Sequence, residues 1–116
     1  MPSGTYGYHC RVGIIRVDHI DAQNGNCLVG ADIWSEFRGK GLARPIYAWL
    51  FWYLFDNLNM HVLYLEVLST NKLAISLYEK LGFKQVGMYP QKIFRDGEYV
   101  DSLLFSLLRQ DYKASV

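Results

Sequence analysis

β-Branched residues cluster early in the chain. Val12, Ile14, Ile15 and Val17 fall between Tyr8 and His19, and this stretch reads as a strand. Asp21 to Asn26 follows as a turn, with Asn24-Gly25 as a hairpin signal. Cys27 to Trp34 returns as the partner strand. From about Leu42 to Leu58 apolar residues keep helical spacing, and the helix is unusually aromatic: Tyr47, Trp49, Phe51, Trp52, Tyr53 and Phe55. Large apolar residues stand all round it, so it is either buried on both sides or part of an interface. His61 to Val67 is the next strand. Leu68-Ser69-Thr70 is a short loop, and Thr70 or Asn71 caps a helix that runs to about Leu81 and stops at Gly82. Phe83 to Tyr89 is a strand, Asp96-Gly97 a turn and Tyr99 to Leu108 a last strand. Met1 to Gly7 and the polar tail Arg109 to Val116 read as loose ends. The order predicts one mixed α/β domain over residues 1–116.

Composition narrows the function classes. The chain has 116 residues, 51% of them hydrophobic, enough for one small core. A net charge of +1 argues against nucleic acid held on a broad basic surface. Cys10 and Cys27 lie far apart without metal-ligand spacing, and two free thiols in a reducing cytoplasm are expected, with no metal. No secretory signal is visible. The most apolar run, Ile46 to Phe55, is about half the length of a membrane span, so no membrane partner is expected.

Candidate chemistry begins at Phe37-Arg38-Gly39-Lys40-Gly41-Leu42-Ala43-Arg44, between a strand and a helix. Gly39 and Gly41 let the backbone turn sharply and approach a ligand. The helix start offers unpaired amides and a partly positive end, and Arg38, Lys40 and Arg44 add charge. Together they suit phosphate groups on a small ligand, although a glycine-containing turn of this kind is also an ordinary connection. The turn lacks the lysine–serine/threonine ending of a nucleotide P-loop. It also lacks the third glycine of a dinucleotide fingerprint, since Arg44 stands there.

Arg38-x-x-Gly41-x-Ala43 resembles the pyrophosphate-gripping signature of GNAT-superfamily N-acetyltransferases. Downstream, Asn71-x-x-Ala74-x-x-x-Tyr78-x-x-x-Gly82-Phe83 is similar to a second segment of that family. The resemblance runs from about Val12 to Leu108. It implies a mainly antiparallel sheet with splayed central strands and two main helices, and acetyl-CoA as cosubstrate. It also implies that the cofactor arm pairs with the backbone of Ala31, Asp32 and Ile33. Family domains usually begin with a strand and one or two helices ahead of the first hairpin. Only seven residues precede Tyr8 here. The expectation is a minimal form, a shortened form, or a subunit that takes that wall from a partner. With the aromatic helix, this points to a homodimer.

Transfer of an acetyl group to an amine needs a neutral nucleophile, a donor for the developing oxyanion and a proton for the leaving thiolate. A phenol holds its proton at neutral pH. Tyr78 lies two helical turns after Asn71, so both face the same way. The resemblance implies that Tyr78 is the general acid and that Asn71 contacts the cofactor arm. Spacing alone is equally that of a core tyrosine. Glu66 puts a charge into an apolar strand, which costs free energy unless it faces a cleft or a partner. In the ribosomal-protein N-terminal acetyltransferases, which this spacing resembles, the matching glutamate accepts the amine proton. A glutamate at the strand's solvent edge is the plain alternative. His61 and His19 are weaker candidates for the base, and His9 weaker still.

Lys92 to Asp101 resembles the terminal hairpin of branches that acetylate protein N-termini, polyamines or an amino-sugar nucleotide. The expected acceptor is a primary amine of one of these kinds. Two other readings stand beside it: an acetyl-CoA-binding sensor without turnover, and an interaction domain that uses the aromatic helix and no cofactor.

Overall fold

A computed structural model describes residues 6–10, 13–33, 43–58 and 59–114, with side chains over 16–30 and 44–112. In chain order the elements are β1 (Tyr6–Cys10), β2 (Gly13–Asp21), β3 (Asn26–Ile33), α1 (Ala43–Phe51), β4 (Val62–Leu68), α2 (Lys72–Lys80), β5 (Lys84–Arg95), β6 (Glu98–Leu108) and α3 (Arg109–Ala114). The chain divides into two compact units, Met1–Leu63 and Tyr64–Val116, with the boundary inside β4. The architecture is mixed α/β with antiparallel hairpins, as the residue pattern implies.

In the first unit β1, β2 and β3 form an antiparallel meander. Tyr8 stands opposite Ile15, and Ile15 opposite Ala31. The stretch read as one strand, Tyr8 to His19, is therefore two, with Cys10 opposite Gly13. Neither Arg11 nor Val12 is a turn-forming residue type, so the sequence at those two positions does not signal a break. Tyr6 and Gly7, read as part of a frayed end, belong to β1.

The β2–β3 connection does follow its signal. Asn24 donates through its backbone to Asp21 Oδ1 at 3.0 Å and through Nδ2 to Oδ2 at 2.8 Å. These bonds hold the Asp21 carboxyl below its ordinary range. Gly25 takes φ +69°, and its carbonyl accepts from the amides of His61 and Val62 at 2.6 and 3.1 Å. That fixes where β4 begins.

α1 and the turn that continues it fill the core of this unit with one stripe. Tyr47, Leu50, Phe51, Leu54 and Phe55 are all buried, with Cys27 and Val29 of β3. Each large apolar side chain fully removed from water contributes about 1.5–3 kcal/mol. The remaining aromatics face outward. Trp49 and Trp52 are exposed, and Trp49 stacks in parallel on Tyr53 with ring centroids 5.4 Å apart. The aromatic helix is thus half core and half surface. Its last turn is not α-helical: Trp52–Asn57 is a π-helical turn, closed by the Leu58 amide on the Tyr53 carbonyl at 3.1 Å. The Cys27 thiol is free and buried, which pushes its pKa up to about 12. No helix among the described residues is long and apolar enough to cross a membrane.

In the second unit the strand order is β4-β6-β5, with β6 in the middle. Leu65, Val67, Phe83, Phe105 and Leu107 are its buried apolar side chains. β5 is the edge, and no residue in it is fully buried. The β5–β6 hairpin closes on Asp96 and Gly97, at φ +55° and +81°, between the opposed residues Arg95 and Glu98. This is the two-residue turn the Asp-Gly signal predicts. The C-terminal tail is not loose throughout, because Arg109–Ala114 continues β6 as α3.

Gly25 and Gly97 provide a paired test of the turns. Both need the left-handed region, but a Cβ at Gly25 would stand 3.3 Å from the His61 amide nitrogen, whereas Gly97 has open space. Gly97→Ala is expected to cost about 1 kcal/mol and Gly25→Ala about 2 kcal/mol. Urea denaturation midpoints measure both, and equal losses would mean that the His61 backbone gives way.

Candidate active site

Tyr78 is held by the way α2 begins and ends. Asn71 is the N-cap, its Oδ1 accepting from the Ala74 amide at 3.2 Å. Asn71, rather than Thr70, therefore starts the helix. At the other end Gly82 takes φ +102°. The Gly82 amide donates to the Glu79 carbonyl at 3.1 Å and the Phe83 amide to the Tyr78 carbonyl at 3.0 Å, which is the Schellman pattern. Phe83, buried, sets its ring edge-on to Tyr78 at 6.1 Å between centroids. The Gly82-Phe83 pair thus fixes both the backbone and the ring of the tyrosine. Tyr78 itself is half-buried.

Glu66 lies on β4 between buried Leu65 and Val67, with its side chain turned to the opposite face. Its Oε1 accepts from Lys92 Nζ at 2.8 Å and from Ser102 Oγ at 3.0 Å. Ser102 is the buried polar residue of β6, so its hydroxyl needs this partner. Lys92 is partly exposed and also sits over the Tyr89 ring, 4.4 Å from its centroid. Its hydrogen bond to Glu66, with the attraction of the two charges, raises the lysine pKa.

A break in the β5–β6 ladder brings Lys92 there. Tyr89 opposes Ser102 and Ile93 opposes Val100, so three residues of β5 face Asp101 alone. Gln91 takes φ +50°, and its amide donates to Asp101 Oδ1 at 2.9 Å. The Asp101 carbonyl accepts from Ser69, in the loop that leads to Asn71, at 3.0 Å. Bulges of this kind re-aim side chains. One residue, Asp101, ties the bulge that presents Lys92 to the loop that starts the tyrosine's helix.

The other predicted site residues are distributed as follows. Ala31, Asp32 and Ile33 end β3, paired with Ile15, Ile14 and Gly13 of β2. Ala43 opens α1, and Arg44 beside it is exposed. Arg38, Gly39, Lys40, Gly41 and Leu42 lie outside the described residues. Glu66, Asn71 and Tyr78 all belong to the second unit. His19 and His61 are exposed. No group of three or more potential metal ligands occurs among the described residues.

Lys92, Ser102 and the bulge were not legible as a site. Pro90 was the available signal: a proline inside a strand run marks an edge or a bulge. The reading that ended the strand at Tyr89 stopped one residue short of it, and β5 in fact continues to Arg95.

Comparison with known proteins gives a consistent picture. Residues 10–104 match the family described as acetyltransferase (GNAT) domain. The chain is 30% identical over 102 residues to YokL, a prophage-derived N-acetyltransferase of Bacillus subtilis, covering 88% of this chain and 58% of that protein. It is 31% identical over 101 residues to the spermidine N(1)-acetyltransferase of Vibrio cholerae, covering 87% of this chain and 58% of that one. A structure of the Vibrio cholerae spermidine N-acetyltransferase with CoA and spermine superimposes with a TM-score of 0.85 at 30% identity, covering 88% of this chain and 60% of that one. A dodecameric structure of the same enzyme superimposes at 0.84 with 31% identity, covering 87% and 59%. The chain therefore spans under two thirds of the length of these relatives.

Proposed function

The chain belongs to the GNAT acetyltransferase family, and from that we propose that it moves an acetyl group from acetyl-CoA to a primary amine. The observation that carries this reading is the family match itself, which runs over residues 10–104 and takes in Glu66, Asn71 and Tyr78. Residues 1–116 act as one acetyltransferase domain in this reading. Glu66 takes the proton from the acceptor's ammonium, and the neutral amine attacks the thioester carbonyl. An N–C bond forms, the C–S bond breaks, Tyr78 gives its proton to the departing thiolate, and the proton that the new amide nitrogen sheds restores the phenol through solvent. The cosubstrate is held by the turn from Arg38 to Arg44 through backbone amides and basic side chains, by the backbone of Ala31, Asp32 and Ile33, and by Asn71. No step uses a metal ion.

A polyamine is the acceptor we favour among amines. Two observations support it: one of the relatives, that of Vibrio cholerae, is a spermidine N-acetyltransferase seen with CoA and spermine, and Glu66 already holds an alkylammonium, that of Lys92, at 2.8 Å. Acetyl-CoA is a cytoplasmic metabolite, and we place the reaction in that compartment. The protein works as a homo-oligomer, a dimer in its simplest form. The exposed Trp49 and Trp52 on one helix support this, as does the dodecameric relative.

Four experiments test the reading. Turnover of acetyl-CoA against spermidine, an N-terminal peptide and an amino sugar should be highest with spermidine. Tyr78→Phe should lower kcat by roughly 10²–10⁴-fold with cofactor affinity nearly intact. Parental kcat in that variant, with chemistry rate-limiting, would remove Tyr78 from the mechanism. Separately, Gly41→Val should sharply weaken acetyl-CoA binding by calorimetry, because a branched side chain blocks the backbone approach; unchanged affinity in the folded variant would exclude the turn as the phosphate site. Light scattering at micromolar concentration should give at least twice the chain mass of 13.4 kDa. A soluble, monodisperse monomer would end the oligomer proposal.

A further inference from the structure

Glu66 is a carboxylate with an alkylammonium already on it. The Lys92 Nζ is chemically the same group as the end of a primary-amine acceptor at neutral pH: an ammonium on a flexible methylene chain. It meets Glu66 Oε1 at 2.8 Å, the distance at which an acceptor's ammonium would hand over its proton. The two cannot hydrogen-bond that oxygen in the same way at once, since Ser102 Oγ also donates to it at 3.0 Å. Ser102 is buried and fixed on β6, whereas Lys92 is partly exposed on an edge-strand bulge. Of the two donors, the lysine is the one that can leave.

We propose that Lys92 is a residue of the acceptor site, which occupies the acceptor-ammonium position on Glu66 and is displaced when a cationic acceptor binds. This rests on the reading of Glu66 as the acceptor's base. An amine must out-compete a tethered ammonium, so the lysine raises KM by the same factor for every cationic acceptor. A polyamine, with further charges to engage elsewhere, replaces it. The exchange is cheap because the pair is partly exposed and contributes little to stability. Tyr89 supplies a place for the lysine's charge beside the carboxylate, with its ring 4.4 Å from Nζ.

The test compares Lys92→Met, Lys92→Arg and Glu66→Gln in steady-state acetylation of spermidine and of butylamine. Lys92→Met should lower KM for both amines by about the same factor, roughly two- to fivefold, the range of an ion pair this exposed. Lys92→Arg should keep the parental KM for both. An unchanged KM in Lys92→Met, or a fall in kcat alone, overturns the proposal while Glu66→Gln remains inactive. Full activity in Glu66→Gln overturns the base reading itself and the proposal with it. Should Lys92→Met fail to fold, trace acetylation of the parental protein by a reactive ester decides the matter. The labelling of Lys92 relative to the exposed Lys80 should rise when saturating spermidine is present. A ratio that stays level or falls rejects displacement.

Discussion

The charge of Glu66 is the constraint around which the second unit is arranged. On β4 its neighbours Leu65 and Val67 are buried, and strand alternation sends the carboxylate to the other face. There it takes two hydrogen bonds on one oxygen. Ser102 provides one from the middle strand, where its hydroxyl would otherwise be buried without a partner. Lys92 provides the other, and to do so β5 must leave its ladder between Tyr89 and Ile93. Asp101 holds that departure in place through the Gln91 amide. A regular ladder would put Lys92 at a different height and face of β5. The bulge and the left-handed Gln91 together place Lys92 where it meets that carboxylate.

The second constraint is the end of α2. A helix leaves carbonyls without partners, and Gly82 lets the chain turn back to satisfy two of them, those of Tyr78 and Glu79. Any residue with a Cβ would be strained at φ +102°. Phe83 then goes into the core and meets the Tyr78 ring. The short pattern of tyrosine followed by Gly-Phe therefore has a local physical meaning independent of any ligand: it is a helix stop whose hydrophobic contact includes the proposed acid.

Much of this was legible because local chemistry and tertiary structure agree. Asn71 caps, Gly82 terminates, and Asp96-Gly97 turns, each where its residue type demands. What escaped notice lacked such a local mark. The buried face of α1 carries none: apolar residues stand all round that helix in the sequence, and only packing separates Tyr47, Leu50 and Phe51, buried with Leu54 and Phe55 of the π-helical turn, from exposed Trp49 and Trp52. Between β1 and β2 the sequence reads Arg11-Val12, with no turn-forming residue at either position to signal that the strand ends. The π-helical turn at Trp52–Asn57 depends on how that helix closes, with Met60 also bonding back to Leu54, rather than on any single residue. The Glu66–Lys92 pair joins residues 26 apart in sequence. Glu66 could be singled out because a carboxylate in an apolar strand is anomalous, but the identity of its partner depends on register, and register was set by a bulge.

The two proposed catalytic groups are held by different kinds of constraint, and the difference bears on how they would work. Tyr78 is fixed through backbone: a cap at one end of a short helix, a Schellman turn at the other, and a ring contact from a buried phenylalanine. Moving it means unwinding the helix end. Glu66 is fixed through side chains, one donor buried on the central strand and one partly exposed on the edge. Exchanging the exposed donor breaks no backbone hydrogen bond and empties no core position. A leaving thiolate always arrives with the same geometry, because the thioester carrier is constant, so its acid gains from rigidity. An acceptor amine arrives with its own charge and solvation, and its base gains from a partner that can be traded. The division of the fold into a backbone-locked tyrosine and an exchangeable ion pair matches that asymmetry in the reaction.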